Sequence, residues 1–573
     1  MSDVEGTVGR AEVHQVNAAF LAAAFCCVLL MLPWLNPFSF GPVASVPPWL
    51  FSAFAAILAV LASLPLAKAG PGSPAPWWCL CSAAALLILA LIPRAAALPP
   101  YEAFAIAGAV GHIAMGAAVA RQLPTSTSIG GLPWPWWCAL LPWIAAGLSS
   151  SALALLQYFG QAGPFGAWIN WAPSGEAFAN LRQRNQFASL TSIALAALLA
   201  GWVLARQRRT RIQDALLAGA MAVLVVGNAA SSSRTGMLQL LALTAAVLVW
   251  RRDLRTWTRL VAMLACYTIA TLALPWLAGL DPATHGMFSR LREGDTLCAS
   301  RLTLWRNVLH LIAQKPWLGW GWGELDYAHY ITLYEGPRFC DILDNAHNLP
   351  LHLAVELGIP AAVLVCGGVL VWILRARPWR ETDAVRRAAW MVLAVIGVHS
   401  LLEYPLWYGP FQLALGLCLG LLWRDDPAAR PAPAAARHLP TVLAVVSLAL
   451  VAYAAWDYRR ISQVYLPADQ RAPAYRDDTL AKAQRSWLYQ RQVKFAALSV
   501  AEVTPDNAAS MHALATELLH FSPEPRVIEK LLASAQLLGL QSEVEFHKPR
   551  FAAAFPKDYA RWLAAQPADP PAR

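Results

Sequence analysis

Apolar residues run through this chain in long blocks separated by short polar connections. About 13 of these blocks approach the roughly 20 residues an α-helix needs to cross the hydrocarbon of a bilayer. They cover residues 16–34, 48–67, 76–93, 102–120, 135–157, 187–205, 213–230, 236–250, 259–279, 349–374, 387–404, 408–423 and 438–456. The dyad alternation of a transmembrane β-strand is absent. The pattern predicts an all-α polytopic membrane protein in three parts. Residues 1–160 form N-terminal transmembrane helices, 161–456 a membrane core interrupted by a polar loop at 280–348, and 457–573 a small helical tail. In the tail the apolar periodicity of "SMHALATELLHF" and "RVIEKLLASAQLL" is that of amphipathic helices.

Composition agrees with this reading. Charged residues are 14% of the chain and hydrophobic ones 58%, against roughly a quarter charged in a soluble domain; mean hydropathy is +0.45. A net charge of +10 would suggest nucleic acid in a soluble protein, but here its placement is what matters. "RQRRTR" (206–211), "RRDLR" (251–255), "RARPWR" (375–380) and the segment with Arg424, Arg430 and Arg437 follow alternate spans, so all four are expected to face the cytoplasm. The N-terminus is then cytoplasmic, and residues 1–15, with Asp3, Glu5, Arg10 and Glu12, lack the basic opening of a signal peptide. Residues 158–186, the turn at Arg234, the loop 280–348, the turn after Ser400 and the tail fall on the outer face. Of ten cysteines, eight lie in apolar blocks as small hydrophobes. Cys298 and Cys340 alone sit in the long polar segment, and there is no CxxC or zinc spacing.

Ionisable groups gathered at one membrane face carry the most information. In "SSSRTG", Arg234 is a lone charge between two apolar blocks, behind three serines. Its guanidinium stays charged and needs an anion or a carbonyl-rich site. A snorkelling arginine is the plain alternative; hydroxyls able to bond phosphate oxygens favour the anion. "SRLTLWRNVLHLIAQKPWLGWGWGEL" opens a helical pattern on Arg301, with Leu302, Trp305, Leu309 and Ile312 on one face. That predicts a helix lying on the membrane surface, its N-terminus suited to an anion. In "DNAHNLPLHLAVELG" an Asp or Asn caps the helix that follows, and His347 projects into the outer vestibule, able to titrate near neutrality. The plain alternative is a capped helix with an incidental histidine. His352 and Glu356, four apart, are expected to pair on one face inside the span 349–374. "HSLLEYPLWYGPF" adds His399, Glu403 and Tyr404, and "NLRQRNQFASL" adds Arg182, Arg184, Asn185 and Gln186, where interface anchoring is the competing role.

These segments converge on the outer face. Arginines suited to a diphosphate and a histidine suited to proton transfer predict group transfer from a lipid-linked diphosphate. The arginines would stabilise the leaving charge and His347 would take the acceptor's proton.

Together, "RQRNQFASL", "SSSRTG", "SRLTLWRNVL…PWLGWGWGEL", "DNAHNLPLHLAVELG" and "HSLLEYPLWYGPF" resemble the bacterial O-linked protein glycosylation ligases. These PglL-type O-oligosaccharyltransferases belong to the O-antigen ligase and polymerase superfamily. The resemblance covers roughly residues 175–425 and extends to the tail. It implies a GT-C-like glycosyltransferase of the bacterial inner membrane that works without metal or other cofactor, with its active site, loop and tail in the periplasm. It further implies en bloc transfer of a preassembled glycan from undecaprenyl diphosphate to Ser or Thr of a periplasmic or pilin-like acceptor protein. By motif position the essential histidine falls on His347 and the two donor-diphosphate arginines on Arg234 and Arg301. Arg182, Arg184, Gln186, His399, Glu403 and Tyr404 are carried over as substrate contacts. Cys298 and Cys340, in an outer loop, are expected to form a disulfide, which the periplasm permits.

Two sister activities would use the same residues: ligation of O-antigen to lipid A core, and polymerisation of the glycan. A flippase or transporter, the less favoured alternative, would instead place its ionisable groups at mid-membrane in two related halves, whereas here the charges hug one face, only His112 and Glu356 lie well inside spans, and no inverted repeat is visible.

Overall fold

The computed structural model describes residues 20–66, 99–123, 128–129, 132–204, 210–251, 253–293, 297–423 and 439–566. The predicted span 76–93 and the basic segment holding Arg424, Arg430 and Arg437 lie outside them. In chain order the membrane-type helices are α1 (Phe20–Leu35), α2 (Val46–Ser63), α3 (Pro100–Gln122), α4 (Leu141–Tyr158), α5 (Arg184–Leu204), α6 (Arg211–Ala230), α7 (Arg234–Trp250) and α8 (Leu254–Leu277). A short α9 (Met287–Glu293), α10 (Arg301–Gln314), α11 (Leu325–Ile331) and α12 (Leu349–Leu357) follow. Then come α13 (Ile359–Ala376), α14 (Ala384–Ser400), α15 (Gly409–Leu422) and α16 (Leu439–Ser462). The tail holds α17 (Thr479–Ala483), α18 (Gln490–Val500), α19 (Ala508–Leu519), α20 (Pro525–Leu537), α21 (Gln541–Ala554) and α22 (Pro556–Ala564). Among the described residues one two-residue antiparallel ladder, Ser128–Ile129 with Leu132–Pro133, is the extent of sheet.

The chain is an all-α polytopic membrane protein. Among the described residues, 8 helices are long and apolar enough to cross a bilayer, and α1, α7 and α15 are shorter apolar helices. The predicted span 387–404 is occupied by α14, 17 residues long, which carries Arg386 and Arg387 in its first turn.

The predicted span 349–374 is not one helix. It breaks at Gly358 (φ 91°, ψ 160°) into α12 and α13, and the span proper begins at Ile359. The reason lies in the segment after α10. The Trp320 and Gly321 amides donate to the carbonyls of Val355 (2.8 Å) and Glu356 (2.9 Å), and Ile359 donates to Pro316 (2.8 Å). These bonds take the place of the helical bonds that a continuous helix would need there. A Cβ at Gly358 would collide with the Trp317 carbonyl, and one at Gly319 with the backbone of Glu356. "GWGWG" and "ELG" are therefore a matched pair of backbone surfaces.

Contacts divide the described residues into two compact units. The first, drawn from 20–66, 104–293 and 373–455, centres on α5, 83% of whose membrane window is buried, against α4, α6, α7 and α14. Several of its interior polar groups pair with one another, as a low-dielectric core favours. Asn228 Nδ2 donates to Thr191 Oγ1 (2.8 Å) and the Ala188 carbonyl (3.0 Å). Gln239 Nε2 donates to Ser189 Oγ (2.6 Å), which meets His399 Nδ1 at 2.8 Å. At α3 against α15, small residues let backbones touch: Gly416 and Gly420 face the carbonyls of Ile113 and Ala117 so closely that a Cβ would overlap them.

The second unit, from 99–103, 294–372 and 456–566, joins the long polar loop to the tail. Helices α19 to α22 pack successively around Leu518, Ile528, Leu531, Val544 and Phe551, and Tyr330 of α11 belongs to the same core. Tyr330 Oη meets His547 Nδ1 at 3.0 Å, and Arg550 Nε donates to the Ile331 carbonyl at 2.7 Å. Cys298 and Cys340 are disulfide-bonded, with Cα atoms 5.2 Å apart across 42 residues.

Candidate active site

In the second unit the geometry is built from α10. Ser300 caps it, its hydroxyl accepting from the Thr303 amide at 3.2 Å, so Arg301 occupies the first helical position. The packed face is Thr303, Leu304, Asn307, Val308, Leu311 and Ile312, while Leu302 and Leu309 are exposed. The predicted apolar stripe of Leu302, Trp305, Leu309 and Ile312 is thus split: Ile312 belongs to the packed side. Asn307 on that side orders the loop beyond, donating to the Pro337 carbonyl (3.1 Å) and accepting from the Phe339 amide (2.8 Å). Trp305, one turn after Arg301, donates its indole N–H to the Ala346 carbonyl at 3.1 Å. That bond anchors the residue immediately before His347 to the first turn of α10.

His347 has φ 49°, in the left-handed region, where non-glycine residues are uncommon and backbone strain often marks a functional position. Its amide donates to Asn345 Oδ1 (2.9 Å), and Asn348 caps α12 by accepting from the Leu351 amide (3.0 Å). Both asparagines of "DNAHN" are thus spent on backbone geometry, with a half-buried imidazole held between them.

Behind it, His352 Nε2 and Glu356 Oε2 are 3.4 Å apart, both buried. This pair lies in α12, not inside a span as the sequence suggested, because of the break at Gly358. Burial drives the Glu356 carboxyl well above its ordinary range and lowers His352 to about 3. Burial thus favours the uncharged form of each partner, a neutral acid against a neutral imidazole, with Gly323 N–H also on the carboxyl. A carboxyl whose folded pKa is raised above the unfolded value of about 4.3 contributes stability at low pH that is lost as pH rises toward the folded value. Glu356→Gln, which cannot ionise, should therefore melt progressively higher than the parent as pH rises above the ordinary carboxylate range. The slope is at most about 1.4 kcal/mol per pH unit, and the two should converge near pH 4. Parallel melting profiles above that range would exclude the neutral-pair description.

In the first unit α7 repeats the design of α10. Ser233 caps the helix, its hydroxyl accepting from the Gly236 amide at 3.0 Å, and Arg234 occupies the first helical position. Ser232 before it has φ 50°. The Ser233 hydroxyl donates to Asn185 Oδ1 (2.6 Å), whose Nδ2 donates to Glu403 Oε1 (3.0 Å). Asn185 thereby ties the start of α7 to α5 and to the turn after α14. The sequence marked this asparagine only as one of a polar run; its hub position is a tertiary fact.

The remaining predicted residues of this unit have the following partners. Arg182 (φ 59°) donates to the Pro37 carbonyl at 3.0 Å and the Ala44 carbonyl at 3.4 Å, bracing the α1–α2 connection. Arg184 pairs with Glu176 at 3.2 Å. Gln186 is buried at the start of α5, its backbone N–H donating to Gln183 Oε1. His399 is buried on Ser189 with Phe411 against its ring, Glu403 is buried on Asn185, and the Tyr404 ring stacks on Tyr408 at 5.9 Å. Arg301 and His347 thus share one unit, and Arg234 with Arg182, Arg184, Gln186, His399, Glu403 and Tyr404 the other.

Both key arginines follow a serine N-cap and open a helix of 14 or 17 residues. The helix N-terminus is electropositive, and a guanidinium there adds a planar donor fork suited to phosphate oxygens. The chemistry such ends can perform is to bind a di-anion and stabilise charge developing on it.

Three family models match the chain in order. Residues 177–202 match "protein glycosylation ligase", 219–366 match "O-antigen ligase", and 387–568 match "virulence factor membrane-bound polymerase, C-terminal". Two curated proteins of Acinetobacter baylyi (strain ATCC 33305 / BD413 / ADP1) are similar. One is a "General O-oligosaccharyltransferase", 31% identical over 185 residues, 30% of this chain and 32% of that protein. The other is a "ComP-specific O-oligosaccharyltransferase", 23% identical over 253 residues, 44% of each. The aligned part thus spans less than half the length of either relative.

Proposed function

We propose that this chain, a member of the O-antigen ligase and protein glycosylation ligase family, is an O-oligosaccharyltransferase of the bacterial inner membrane. Its substrate is a glycan preassembled on undecaprenyl diphosphate, moved en bloc to a Ser or Thr hydroxyl of a periplasmic or pilin-like protein. The observation that carries this reading is the repeated Ser-cap and arginine at the starts of α7 and α10, with the strained His347 anchored to α10 through Trp305.

In the proposed reaction the acceptor oxygen attacks the anomeric carbon while the bond to the diphosphate breaks. His347 takes the hydroxyl proton as general base. Undecaprenyl diphosphate departs, its growing charge met by Arg234 and Arg301, whose helix-end placement spares reorganisation at the moment of transfer. Asn185, Glu403 and Ser233 hold the α7 end in place, while Arg182 and Arg184 brace the adjoining loop.

Co-expression with a lipid-linked glycan pathway and a candidate pilin tests the proposal. The intact mass of the acceptor should rise by the whole glycan in one step. Glycan appearing on lipid A core with an unmodified pilin would reassign the acceptor to lipid and make the chain an O-antigen ligase.

A further inference from the structure

The first unit also holds a cavity of about 250 Å³ at the ends of α5, α6, α7, α8 and α14, near the lower bound of about 300 Å³ for small-molecule pockets. It lies where the last turns of α5 and α7 meet the first turns of α6, α8 and α14, the end of this bundle that the positive-inside reading assigns to the cytoplasm. Its inner wall is apolar, from Leu199, Met221, Leu260 and Met391. Arg251, Arg259 and Arg387 also line it, against two carboxylates, Asp214 and Asp253. Asp253 is committed as the N-cap of α8, accepting from the Thr256 amide (3.0 Å) and hydroxyl (2.9 Å).

Two arginines are held by aromatic faces. The Arg259 guanidinium lies 3.7 Å from the centre of the Trp202 ring, and Arg387 lies 5.6 Å from that of Trp250. Stacking of this kind orients the planar guanidinium. Arg387 spends its Nε on the Glu381 carbonyl at 2.7 Å, so its terminal nitrogens carry its remaining donors. Trp250 is pinned by its own bond to the Pro378 carbonyl at 2.8 Å.

An apolar recess with a cationic, tryptophan-braced rim at a membrane interface matches one ligand chemistry: a phosphate headgroup with net negative charge on a hydrocarbon tail. We propose that this cavity binds an anionic phospholipid of the inner leaflet, separate from the transfer site. The assignment stands on the cavity and its charges and does not depend on the proposed transferase activity. Each rim guanidinium is worth about fivefold in affinity for such a leaflet.

The test uses the full-length chain in mild detergent, with lipid retention read by native mass spectrometry and stability by thermal melting. Phosphatidylglycerol should be retained and should raise the melting temperature, while phosphatidylcholine of equal chain length and free glycerol phosphate should do neither. Arg259→Gln and Arg387→Gln should each weaken retention about fivefold and together about 25-fold, with Arg259→Lys intermediate. Ala200→Leu, which fills the cavity without changing charge, should also expel the lipid and guards against misfolding of the arginine variants. Equal retention of phosphatidylcholine overturns the proposal, as does unchanged phosphatidylglycerol binding in the double glutamine variant. Preference for undecaprenyl phosphate over phosphatidylglycerol overturns the assignment to a bulk phospholipid.

Discussion

His347→Asn should lower glycan transfer by roughly 10²–10⁴-fold, the range a positioned general base contributes, with membrane insertion and melting temperature unchanged. Asparagine is the informative substitution because position 347 has φ 49°, a conformation asparagine tolerates better than most residues. It keeps the turn and removes the basic nitrogen. His347→Ala should lose activity as fully and be less stable than the asparagine variant, because alanine has no short polar side chain to hydrogen-bond locally in the left-handed region. Comparison of the two separates chemistry from fold. Transfer by the asparagine variant within tenfold of the parent would show that no proton passes through this side chain. If alanine alone were inactive, the histidine's part would be to hold the turn between Asn345 and Asn348.

Arg301→Lys should reduce donor-dependent transfer about 10–150-fold although net charge is preserved, because charge-assisted hydrogen bonds worth about 1.5–3 kcal/mol are lost with the planar fork. Arg234→Lys should behave alike, since both residues stand at the first position of a serine-capped helix. Arg306→Lys is the control, being exposed on α10 away from its start. The loss should appear as weaker use of the lipid-linked donor with acceptor dependence unchanged. If the two arginines hold one diphosphate, the double variant should depart from additivity by about 0.5–3 kcal/mol. Strict additivity would mean that they act on separate ligands, and normal donor use by both lysine variants would remove the diphosphate role altogether.

Some of the local structure around these residues was legible from residue order alone. His352 and Glu356 do meet, as a four-residue spacing requires on a helix. What could not be read was the use of each polar group. The serines before Arg234 read as hydroxyls for phosphate oxygens, yet Ser233 spends its hydroxyl inside the protein, accepting from the Gly236 amide as the N-cap of α7 and donating to Asn185. From the sequence alone nothing tells that Arg182 meets the Pro37 and Ala44 carbonyls or that Arg184 meets Glu176. Asn185 looks like one of several polar residues but links three elements. Such differences arise from residues distant in sequence, which composition and spacing do not encode.

Hydrophobic length and charge placement are one-dimensional quantities. They suffice to predict that this chain lives in a membrane as helices, because an unpaired backbone is too costly in hydrocarbon for anything but helices or a closed barrel, and the dyad pattern of a barrel is absent. The break at Gly358, the neutral state of Glu356 and the left-handed turn at His347 were decided by the tertiary structure. In each case the cause is a group supplied from elsewhere: the Trp320 and Gly321 amides on the end of α12, the wall that excludes water from Glu356, and the Trp305 indole on Ala346. A continuous helix, an ionised carboxylate or a relaxed turn would each be favoured locally, and each is overruled because buried polar groups must find their partners wherever packing brings them.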